Sequence, residues 1–391
     1  MEEIKYCDVL IVGCGFSGAA AARRLAEGGK KVLILEKRDH IAGNMYDFID
    51  ENGVLTHRYG PHIFHTSNKE VFEFLNRFSA FFPYEHRVLG KIDGQLVPIP
   101  FNYRSMDLLF PAQKAARVKE LLEAAFPGRE RVPVSELLEG EGEVREIGAY
   151  IFEKVFLHYT AKQWGMPTEK VDRSVLSRVP VVLGYDDRYF SDTYQAMPQD
   201  GFTKLFNNLL NHENITVRLN CDAMELIKAD PQGSGILVCG EPLDKPLIWT
   251  APADELFGYA FGRLPYRSLD LAFERLAITS FQPAAVVNYP NEEAFTRITE
   301  FKYLTGQKIE GATTIMREYP LDYAPDAEKG NIPYYPIVGP ENGALYSRYA
   351  ALAAGVGSLF LCGRLAQYRY WNMDGAVAEA LALAEKILEK A

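Results

Sequence analysis

The chain has 391 residues, of which 48% are apolar and 24% are charged, and its formal net charge is −10. This length predicts two or three packed lobes, and the composition excludes large-scale disorder. The negative charge argues against nonspecific binding of nucleic acid or of an anionic membrane, although arginines inside a cleft can still attract an anionic small molecule.

The cysteines and the first residues indicate a cellular compartment. The chain has five cysteines, an odd number, and they are scattered with no CxxC pair. Such usage favours a reducing compartment without disulfides or a zinc site. The opening "MEEIKYCDVLIV" lacks the basic segment of a signal peptide, and no stretch has the length of a membrane span. We therefore expect a cytoplasmic protein that does not insert into a membrane.

The first elements along the chain predict a βαβ unit. Residues 7–13 form an apolar run typical of a buried parallel strand, residues 17–28 predict a helix, and residues 31–36 predict a second strand. Near the other end, "SLFLCGR" predicts a short strand and residues 374–390 predict a helix rich in Ala, Leu and Glu. Because the two ends share this character, we expect them to meet in one dinucleotide-binding domain of an α/β protein.

The middle of the chain differs in pattern. Leu and Ala recur at spacings of three and four within residues 104–170, which predicts two or three amphipathic helices. Residues 171–335 are rich in Val, Ile, Thr, Tyr and Pro, which predicts mainly strands and loops. The lobes are therefore expected to be interleaved along the sequence.

The segment "GCGFSG" predicts a phosphate-binding turn. Gly13 permits the tight turn, Gly15 lets a pyrophosphate approach the backbone, and Gly18 lets the helix pack on the strand. The helix N-terminus then directs free N–H groups at the phosphates. Glu36 ends the second strand, where a carboxylate can accept ribose hydroxyls. The order strand, glycine turn, helix, strand and acid favours dinucleotide binding over a purely structural turn.

Three features favour FAD over NAD as that dinucleotide. Arg38 and Gly43 follow the acid in "EKRDHIAGN", which resembles the extended FAD fingerprint of amine oxidases and related flavoproteins. No second GxGxxG is present for a nicotinamide nucleotide. Gly363 and Arg364 follow the last predicted strand, where such flavoproteins return to the pyrophosphate. A strand-ending glycine and a surface arginine remain the alternative for this last pair.

The histidines in "YGPHIFHT" lie three residues apart, at His62 and His65. Without a nearby carboxylate or cysteine they make a poor metal ligand set, so we expect no metal. A loop lining a flavin is the favoured interpretation, and two ordinary hydrogen-bonded histidines are the alternative.

The remaining candidates are aromatic and basic residues whose spacing alone leaves their role open. The segment "HYTAKQWG" groups Tyr159, Thr160 and Trp164, which could pack in the core or stack on a base and a sugar. Arg178 and Arg297 could bind diphosphate oxygens or lie in solvent. The tyrosines of "PYYPI" and "YRYWNMD" share this ambiguity.

Together these segments resemble one family, the bacterial UDP-galactopyranose mutases. The resemblance rests on "GCGFSG", "YGPHIFHT", "YTAKQWG", "YQAMPQDGF", "FTRITEF", "REYP", "PYYPI" and "GRLAQYRYWNMD", in the family's order. It implies a Rossmann-like FAD-binding domain with an inserted helical domain and an antiparallel β-sheet domain. The implied boundaries are 1–75, 203–265 and 340–391 for the FAD domain, 103–170 for the helical domain, and 76–102, 171–202 and 266–339 for the sheet domain, with a mobile substrate loop near 170–182.

The resemblance also implies an activity. It is the redox-neutral conversion of UDP-galactopyranose to UDP-galactofuranose, with FAD in its reduced form. In that family flavin N5 attacks the anomeric carbon, UDP leaves, the sugar ring opens and recloses through a different hydroxyl, and UDP returns. The cofactor supplies covalent catalysis, and the protein supplies orientation and charge.

Site residues follow from the same resemblance. Arg178 would be the arginine of the mobile loop and Arg297 the fixed arginine on the diphosphate, with His65 beside the flavin. The implied cofactor residues are Gly13, Gly15, Phe16, Ser17, Gly18, Glu36, Lys37, Gly43, Asn44, His62, Ile63, Gly363, Arg364 and Met373. The implied substrate residues are Asn102, Phe156, Tyr159, Thr160, Trp164, Tyr189, Tyr334, Tyr335, Tyr370 and Asn372. A homodimer is also implied.

The sequence departs from the family pattern at two places. Asn372 stands where an aspartate is expected, and Phe301 and Tyr303 stand in "EFKY", where a histidine is usual. These changes leave open a related mutase acting on UDP-N-acetylgalactosamine, UDP-arabinopyranose or dTDP-fucopyranose. Two further alternatives are an amine-oxidase-type flavoprotein and a protein that binds a nucleotide sugar without turnover.

Overall fold

The nucleotide-binding part is built on a five-stranded parallel sheet. The computed structural model describes residues 2–165, 167–168, 180–230 and 235–390. In spatial order the strands of this sheet are Ile215–Arg218, Val32–Leu35, Val9–Val12, Leu247–Trp249 and Leu359–Leu361. Strands Val9–Val12 and Val32–Leu35 are buried along their whole length, as expected for a parallel sheet covered on both faces.

Helices cover both faces of this parallel sheet. One face carries Phe16–Glu27, whose alanines are fully buried and allow the terminal helix Met373–Lys390 to pack closely on it. The other face carries Ala253–Leu256 and Pro340–Gly355. The first and last segments of the chain therefore meet in one domain, which confirms the prediction.

The helical region contains more helices than the two or three predicted. Its helices are Tyr103–Leu109, Ala112–Ala125, Val134–Glu139, Gly142–Ile151, a π-helix at Phe152–Leu157, and His158–Trp164. Short breaks separate most of them, because Phe110, Phe126 and Gly140 leave the helical backbone conformation. The spacing of Leu and Ala therefore identified the helical region but not its divisions.

The third part is a seven-stranded sheet. In spatial order its strands are Tyr335–Pro336, Tyr266–Leu276, Thr313–Asp322, Arg297–Glu300, Val286–Asn288, Val88–Ile92 and Gln95–Ile99. All neighbouring strands are antiparallel except the pair between Val286–Asn288 and Val88–Ile92. The register places Arg297 opposite Glu318 across two central strands.

Smaller elements connect these parts. The small sheets pair Phe64–Thr66, Tyr194–Pro198 and Phe81–Pro83; Ile227–Ala229, Ile236–Val238 and Glu241–Pro242; Asp47–Ile49 and Leu55–His57; and Arg131–Pro133 and Pro180–Val182. The remaining helices are Glu2–Tyr6, Gly43–Met45 (a 3₁₀ turn), Lys69–Asn76, Phe202–Leu210, Ala223–Leu226 and Phe301–Thr305.

The helix Phe202–Leu210 lies in a region predicted to be mainly strands and loops. Its buried residues recur at helical spacing, and Asp47 accepts hydrogen bonds from the backbone N–H groups of Phe202 and Thr203 at its first turn. The carboxylate that caps this helix comes from a distant strand. The cap was therefore not visible as a local sequence signal.

The predicted domain boundaries remain a prediction, and the helices Lys69–Asn76 and Phe202–Leu210 each cross one of them by a single residue. All strands of the parallel sheet lie inside the predicted FAD segments, and all strands of the seven-stranded sheet lie inside the predicted sheet segments. Among the described residues, no helix combines the length and apolar character needed to cross a bilayer.

Candidate active site

A deep cleft opens at the carboxyl ends of the parallel strands. It holds about 1460 Å³ of space when the open solvent at its mouth is included. The turns that follow four of these strands line it, at Gly13, Glu36, Thr250 and Gly363. In open α/β sheets, ligands bind at this edge.

The glycine turn is shaped to bring a ligand close to the backbone. A Cβ on Gly18 would overlap the carbonyl oxygen of Gly13, so this glycine is needed for packing between helix and strand. By contrast, a Cβ on Gly15 would meet no protein atom within 4 Å, although Gly15 lines the cleft. The space beside Gly15 is therefore open toward a ligand, and Phe16–Glu27 begins there with free backbone N–H groups.

Glu36 organises the next part of the cleft. Its buried carboxylate accepts hydrogen bonds from the backbone N–H groups of Cys14 at 2.8 Å and Arg38 at 2.9 Å. These bonds hold the glycine turn and the end of the second strand at a fixed separation. The side chain also lines the cleft, where a ribose would be expected.

Two side chains of the cleft, Arg38 and His62, carry nitrogen atoms that a bound dinucleotide could pair with. Arg38 donates from Nη2 to Asn44 Oδ1 at 3.0 Å and lies 4.2 Å from the Tyr59 ring centre. Its buried Nη1 has no hydrogen-bond partner among the described residues, and the same holds for Nδ1 of His62. Both residues line the cleft. Because unpaired buried polar atoms are costly, they favour a ligand with acceptor oxygens or nitrogens, as FAD has.

An ion pair between Arg297 and Glu318 lies near this cleft, since Arg297 neighbours Tyr335, which lines the cleft. Arg297 donates from Nε to Glu318 Oε1 at 2.6 Å, and the Glu318 side chain is 2% exposed. Burial lowers the pKa of Arg297, but Glu318, Tyr159 and Tyr335 together outweigh burial, so the pKa of Arg297 stands well above its ordinary value. Arg297 is therefore held as a permanent cation with donors beyond those it gives to Glu318.

Tyrosines surround this cation. Tyr159 and Tyr335 lie close enough to act on the pKa of Arg297, and Arg297 in turn acts on the pKa of Tyr189. The Tyr335 and Tyr370 rings are stacked at 5.8 Å. Burial raises the pKa of Tyr159 above its ordinary value, so it remains a neutral hydroxyl donor. The permanent charge of Arg297 and the hydroxyl groups of the neighbouring tyrosines are suited to bind diphosphate oxygens.

Arg364 contributes a second positive charge between the same rings. Its Cζ lies 5.3 Å from the Tyr335 ring centre and 5.2 Å from that of Tyr370. Its guanidinium donates to the carbonyls of Trp371 and Tyr334. Arg364 therefore holds the tyrosines in place and adds charge to the cleft that it lines.

The helix His158–Trp164 presents the third side of the site. Tyr159 belongs to the group around Arg297, whereas Thr160 is buried and Phe156, on the preceding π-helix, packs in the core. The helix ends at Trp164 because Gly165 takes a left-handed conformation. Arg178 lies outside the described residues, as does most of the predicted substrate loop.

His65 lies next to the aromatic group rather than in the cleft lining. Its Nδ1 is 2.8 Å from Asp192 Oδ2, and its ring stacks on Phe190 at 3.6 Å. Phe190 in turn contacts Tyr189. The predicted contact of His65 with the flavin stays a prediction.

Asn102 has a structural role that its sequence context did not reveal. It is fully buried as the N-cap of helix Tyr103–Leu109, where its Oδ1 accepts from the Ser105 backbone N–H and its Nδ2 donates to Asp186 O. Because these bonds engage both ends of its amide, its placement argues against the predicted contact with the sugar.

Most other predicted cofactor residues line the cleft: Gly13, Phe16, Ser17, Lys37, Gly43, Asn44, Gly363 and Met373. Ile63 instead packs in the core. Of the predicted substrate residues, Tyr334, Tyr335 and Asn372 line the cleft. Tyr334 is buried against Tyr59 and Leu269, which leaves Tyr335 as the neighbour that faces Arg297.

The two departures from the family pattern fall in different places. Asn372 lines the cleft. Phe301 is fully buried and packs near the His57 and Phe273 rings, and Tyr303 pairs its hydroxyl with Ser280. Neither lines the cleft.

Sequence reasoning missed part of the site. Glu318 was noticed only inside "REYP", and the strand register that pairs it with Arg297 was not visible. The cleft wall at Cys221–Met224 and Trp249–Pro252 was also missed. Both segments lie at the carboxyl ends of strands of the parallel sheet, which the sequence analysis did not locate individually.

A buried histidine beside this group makes the fold sensitive to acid. His86 is 4% exposed, and burial first, then Arg297 and His65, lower its pKa to about 3. The unfolded chain binds this proton near pH 6.5, so stability falls as the pH drops from about 6.5 toward 3. We expect His86→Phe to reduce the slope of unfolding free energy against pH by up to about 1.4 kcal/mol per unit.

Denaturant titrations between pH 4.5 and 7.5 measure this slope for both proteins. At pH 7.5, His86 is neutral in both the folded and the unfolded protein. The difference in unfolding free energy at that pH therefore reports the packing cost of the substitution alone. Parallel curves over the whole range would contradict the assignment of a buried neutral His86.

The fold and the cleft define a dinucleotide-binding α/β enzyme with the architecture of a flavoprotein. A family model described as UDP-galactopyranose mutase matches residues 154–370, and one described as NAD(P)-binding Rossmann-like domain matches residues 11–78. The chain belongs to the UDP-galactopyranose mutase family, and it is an isomerase.

Individual relatives agree with this assignment. The chain is 38% identical to UDP-galactopyranose mutase of Mycoplasma pneumoniae, with 98% of this chain and 96% of the relative covered. It is 34% identical to dTDP-fucopyranose mutase of Escherichia coli, with 96% and 97% covered. A solved structure of reduced UDP-galactopyranose mutase matches with a TM-score of 0.72 over 98% of this chain and 96% of the other, at 18% identity, and so supports the fold.

Proposed function

We propose that the protein interconverts UDP-galactopyranose and UDP-galactofuranose with FAD in its reduced form. The observation that carries this proposal is the buried Arg297–Glu318 pair, ringed by Tyr159, Tyr189 and Tyr335 beside a dinucleotide cleft. An anionic ligand at Arg297 would lie next to the flavin end of that cleft. The full-length relative from Mycoplasma pneumoniae, which bears this activity as its name, supports the same substrate.

In this reaction, each residue of the proposed site would have a distinct role. Arg297 binds the diphosphate and stabilises the negative charge that grows on it as the bond to the sugar breaks. Tyr335 and Tyr370 donate hydrogen bonds to the same oxygens, and Tyr159 packs against the nucleotide. Reduced FAD, when bound, supplies the nucleophile for the anomeric carbon. Arg178, predicted from the family motif, would add a second cation from the substrate loop.

The cleft would hold FAD through the elements already described. Gly15 and the start of Phe16–Glu27 would bind the pyrophosphate, and Glu36 the ribose. Arg38 Nη1 and His62 Nδ1 would find their missing partners on the cofactor.

A second candidate substrate is dTDP-fucopyranose. Asn372 lines the cleft and removes a negative charge where the family pattern has an aspartate. The Escherichia coli relative named for that substrate covers 96% of this chain at 34% identity. The nucleotide-diphosphate part of the site would serve either ligand.

One experiment tests the activity and its need for reductant. Purified protein with bound FAD is incubated anaerobically with UDP-galactofuranose, with and without dithionite, and the sugar nucleotides are separated by chromatography. We expect UDP-galactopyranose in the reduced sample and none in the oxidised one. Equal conversion in both samples would exclude a role for the reduced form. No conversion of this substrate alongside conversion of dTDP-fucofuranose would assign the second candidate.

Two further features are proposed on sequence grounds. The five cysteines, Cys7, Cys14, Cys221, Cys239 and Cys362, are all unpaired, which suits a reducing cytoplasm. The family resemblance supports a homodimer, which the mass of the protein in solution would test.

A further inference from the structure

The loop 289–296 joins two strands of the seven-stranded sheet and ends next to Arg297. The Lys162 side chain of the helix His158–Trp164 reaches into it. Lys162 donates from Nζ to the carbonyl oxygens of Tyr289 at 2.6 Å, Glu293 at 2.9 Å and Phe295 at 3.3 Å. A lysine ammonium has three donors, and this loop accepts all of them.

Two neighbouring contacts strengthen this junction. Asn291, from the same loop, donates from Nδ2 to the carbonyl of Lys154 at 3.2 Å, within the π-helix that precedes His158–Trp164. At the other end, Arg267 donates to the carbonyls of Gln163 at 2.9 Å and Lys162 at 3.4 Å. Cations that bond to the last carbonyls of a helix stabilise its C-terminus. The loop and the neighbouring strand therefore hold the helix at both of its ends.

The position of Lys162 links the two halves of the proposed substrate site. Tyr159, one turn earlier on the helix, faces the group around Arg297. Phe295, whose carbonyl Lys162 binds, lies two residues before Arg297 in the chain. Any shift of the helix relative to the loop therefore changes the distance between Tyr159 and Arg297. Lys162 itself is absent from the cleft lining.

Lys162 bonds to carbonyls and not to a carboxylate. Burial lowers the pKa of Lys162, and Glu293 raises it by a smaller amount. An ammonium group that is half-buried and bonded only to neutral carbonyls serves as a geometric link between two backbone segments. A side chain without three donors cannot replace it.

We propose that Lys162 is a positioning residue, which sets the spacing between the nucleotide-contacting helix and the diphosphate-binding Arg297. This inference rests on the proposed function, because it assumes that both groups bind one nucleotide-diphosphate ligand. Loss of the Lys162 side chain should weaken ligand binding in the ground state, because Tyr159 and Arg297 would shift relative to each other while both remain present.

The test compares Lys162→Met with Lys162→Arg and with Lys91→Met. Lys91 is a matched control because it binds the same loop, with Nζ 2.9 Å from Glu293 Oε1, but it lies on the strand Val88–Ile92 and not on the helix. UDP binding to each FAD-loaded protein is measured by calorimetry, and KM and kcat are measured with reduced enzyme. For Lys162→Met we expect about tenfold weaker UDP binding and a similarly raised KM, with kcat within about twofold.

The controls separate positioning from general stability. Lys162→Arg can still donate to several carbonyls, so it should recover most of the UDP affinity, and Lys91→Met should bind UDP as the unchanged protein does. All variants should keep their FAD content. Unchanged UDP affinity in Lys162→Met, or an equal loss in Lys91→Met, would overturn the inference. If the unchanged protein binds UDP but converts no sugar nucleotide, the proposed function fails while the binding comparison still decides the role of Lys162.

Discussion

Replacement of Arg297 by methionine is expected to lower kcat/KM for the UDP-sugar by about 10³-fold, the scale of losing a main electrostatic contact to developing charge. Arg297 is the cation around which Tyr159, Tyr189 and Tyr335 gather. Glu318 keeps it charged, so the site retains this positive charge at all working pH values. Steady-state kinetics with reduced enzyme measure the loss, and UDP calorimetry shows how much of it is ground-state binding.

The single substitution also leaves Glu318 buried without its partner, which alone can cost about 3–5 kcal/mol of stability. The double variant Arg297→Met with Glu318→Gln removes that charge and should fold with near-normal stability while staying inactive. Arg317→Met is the matched control, because Arg317 lies on the neighbouring strand and pairs with Glu274 instead. A double variant with normal turnover would remove Arg297 from the proposed diphosphate site.

The nucleotide-binding part of the fold was predictable because its signals are local. The predicted strand 7–13 and helix 17–28 agree with Val9–Val12 and Phe16–Glu27 to within about one residue at most ends. Apolar runs that are buried on both faces and a glycine turn between them specify a βαβ unit without help from distant residues. The terminal helix, predicted at 374–390, likewise matches Met373–Lys390.

The substrate half of the site was less predictable because its groups meet only through tertiary structure. Glu318 and Arg297 face each other through strand register, and Lys162 reaches carbonyls more than 120 residues away in the chain. No spacing within a short window encodes such contacts. Asn102 was predicted to contact the sugar because it lies near a family motif, and its role as a helix cap was not predicted.

The glycine turn offers the sharpest test of the cofactor site. Gly15→Val is expected to weaken FAD binding by at least about 100-fold, or about 2.7 kcal/mol, because the added side chain fills the space where a pyrophosphate approaches the backbone. The protein itself has room for the new Cβ, since no atom beyond the adjoining residues lies within 4 Å of its position. The backbone at Gly15 is extended, with φ of −81°, so a side chain brings no left-handed strain.

The measurement is the flavin absorbance and the dissociation constant of FAD, together with thermal unfolding of the cofactor-free protein. Gly357→Val is the matched control, since Gly357 also has open space at its Cβ but lies outside the cleft. Cofactor-free Gly15→Val should unfold within a few degrees of the unchanged protein, whereas Gly18→Val should fold poorly because its side chain would overlap Gly13. Normal FAD affinity in Gly15→Val would show that the pyrophosphate does not lie against this turn, and the cleft would then need a different ligand.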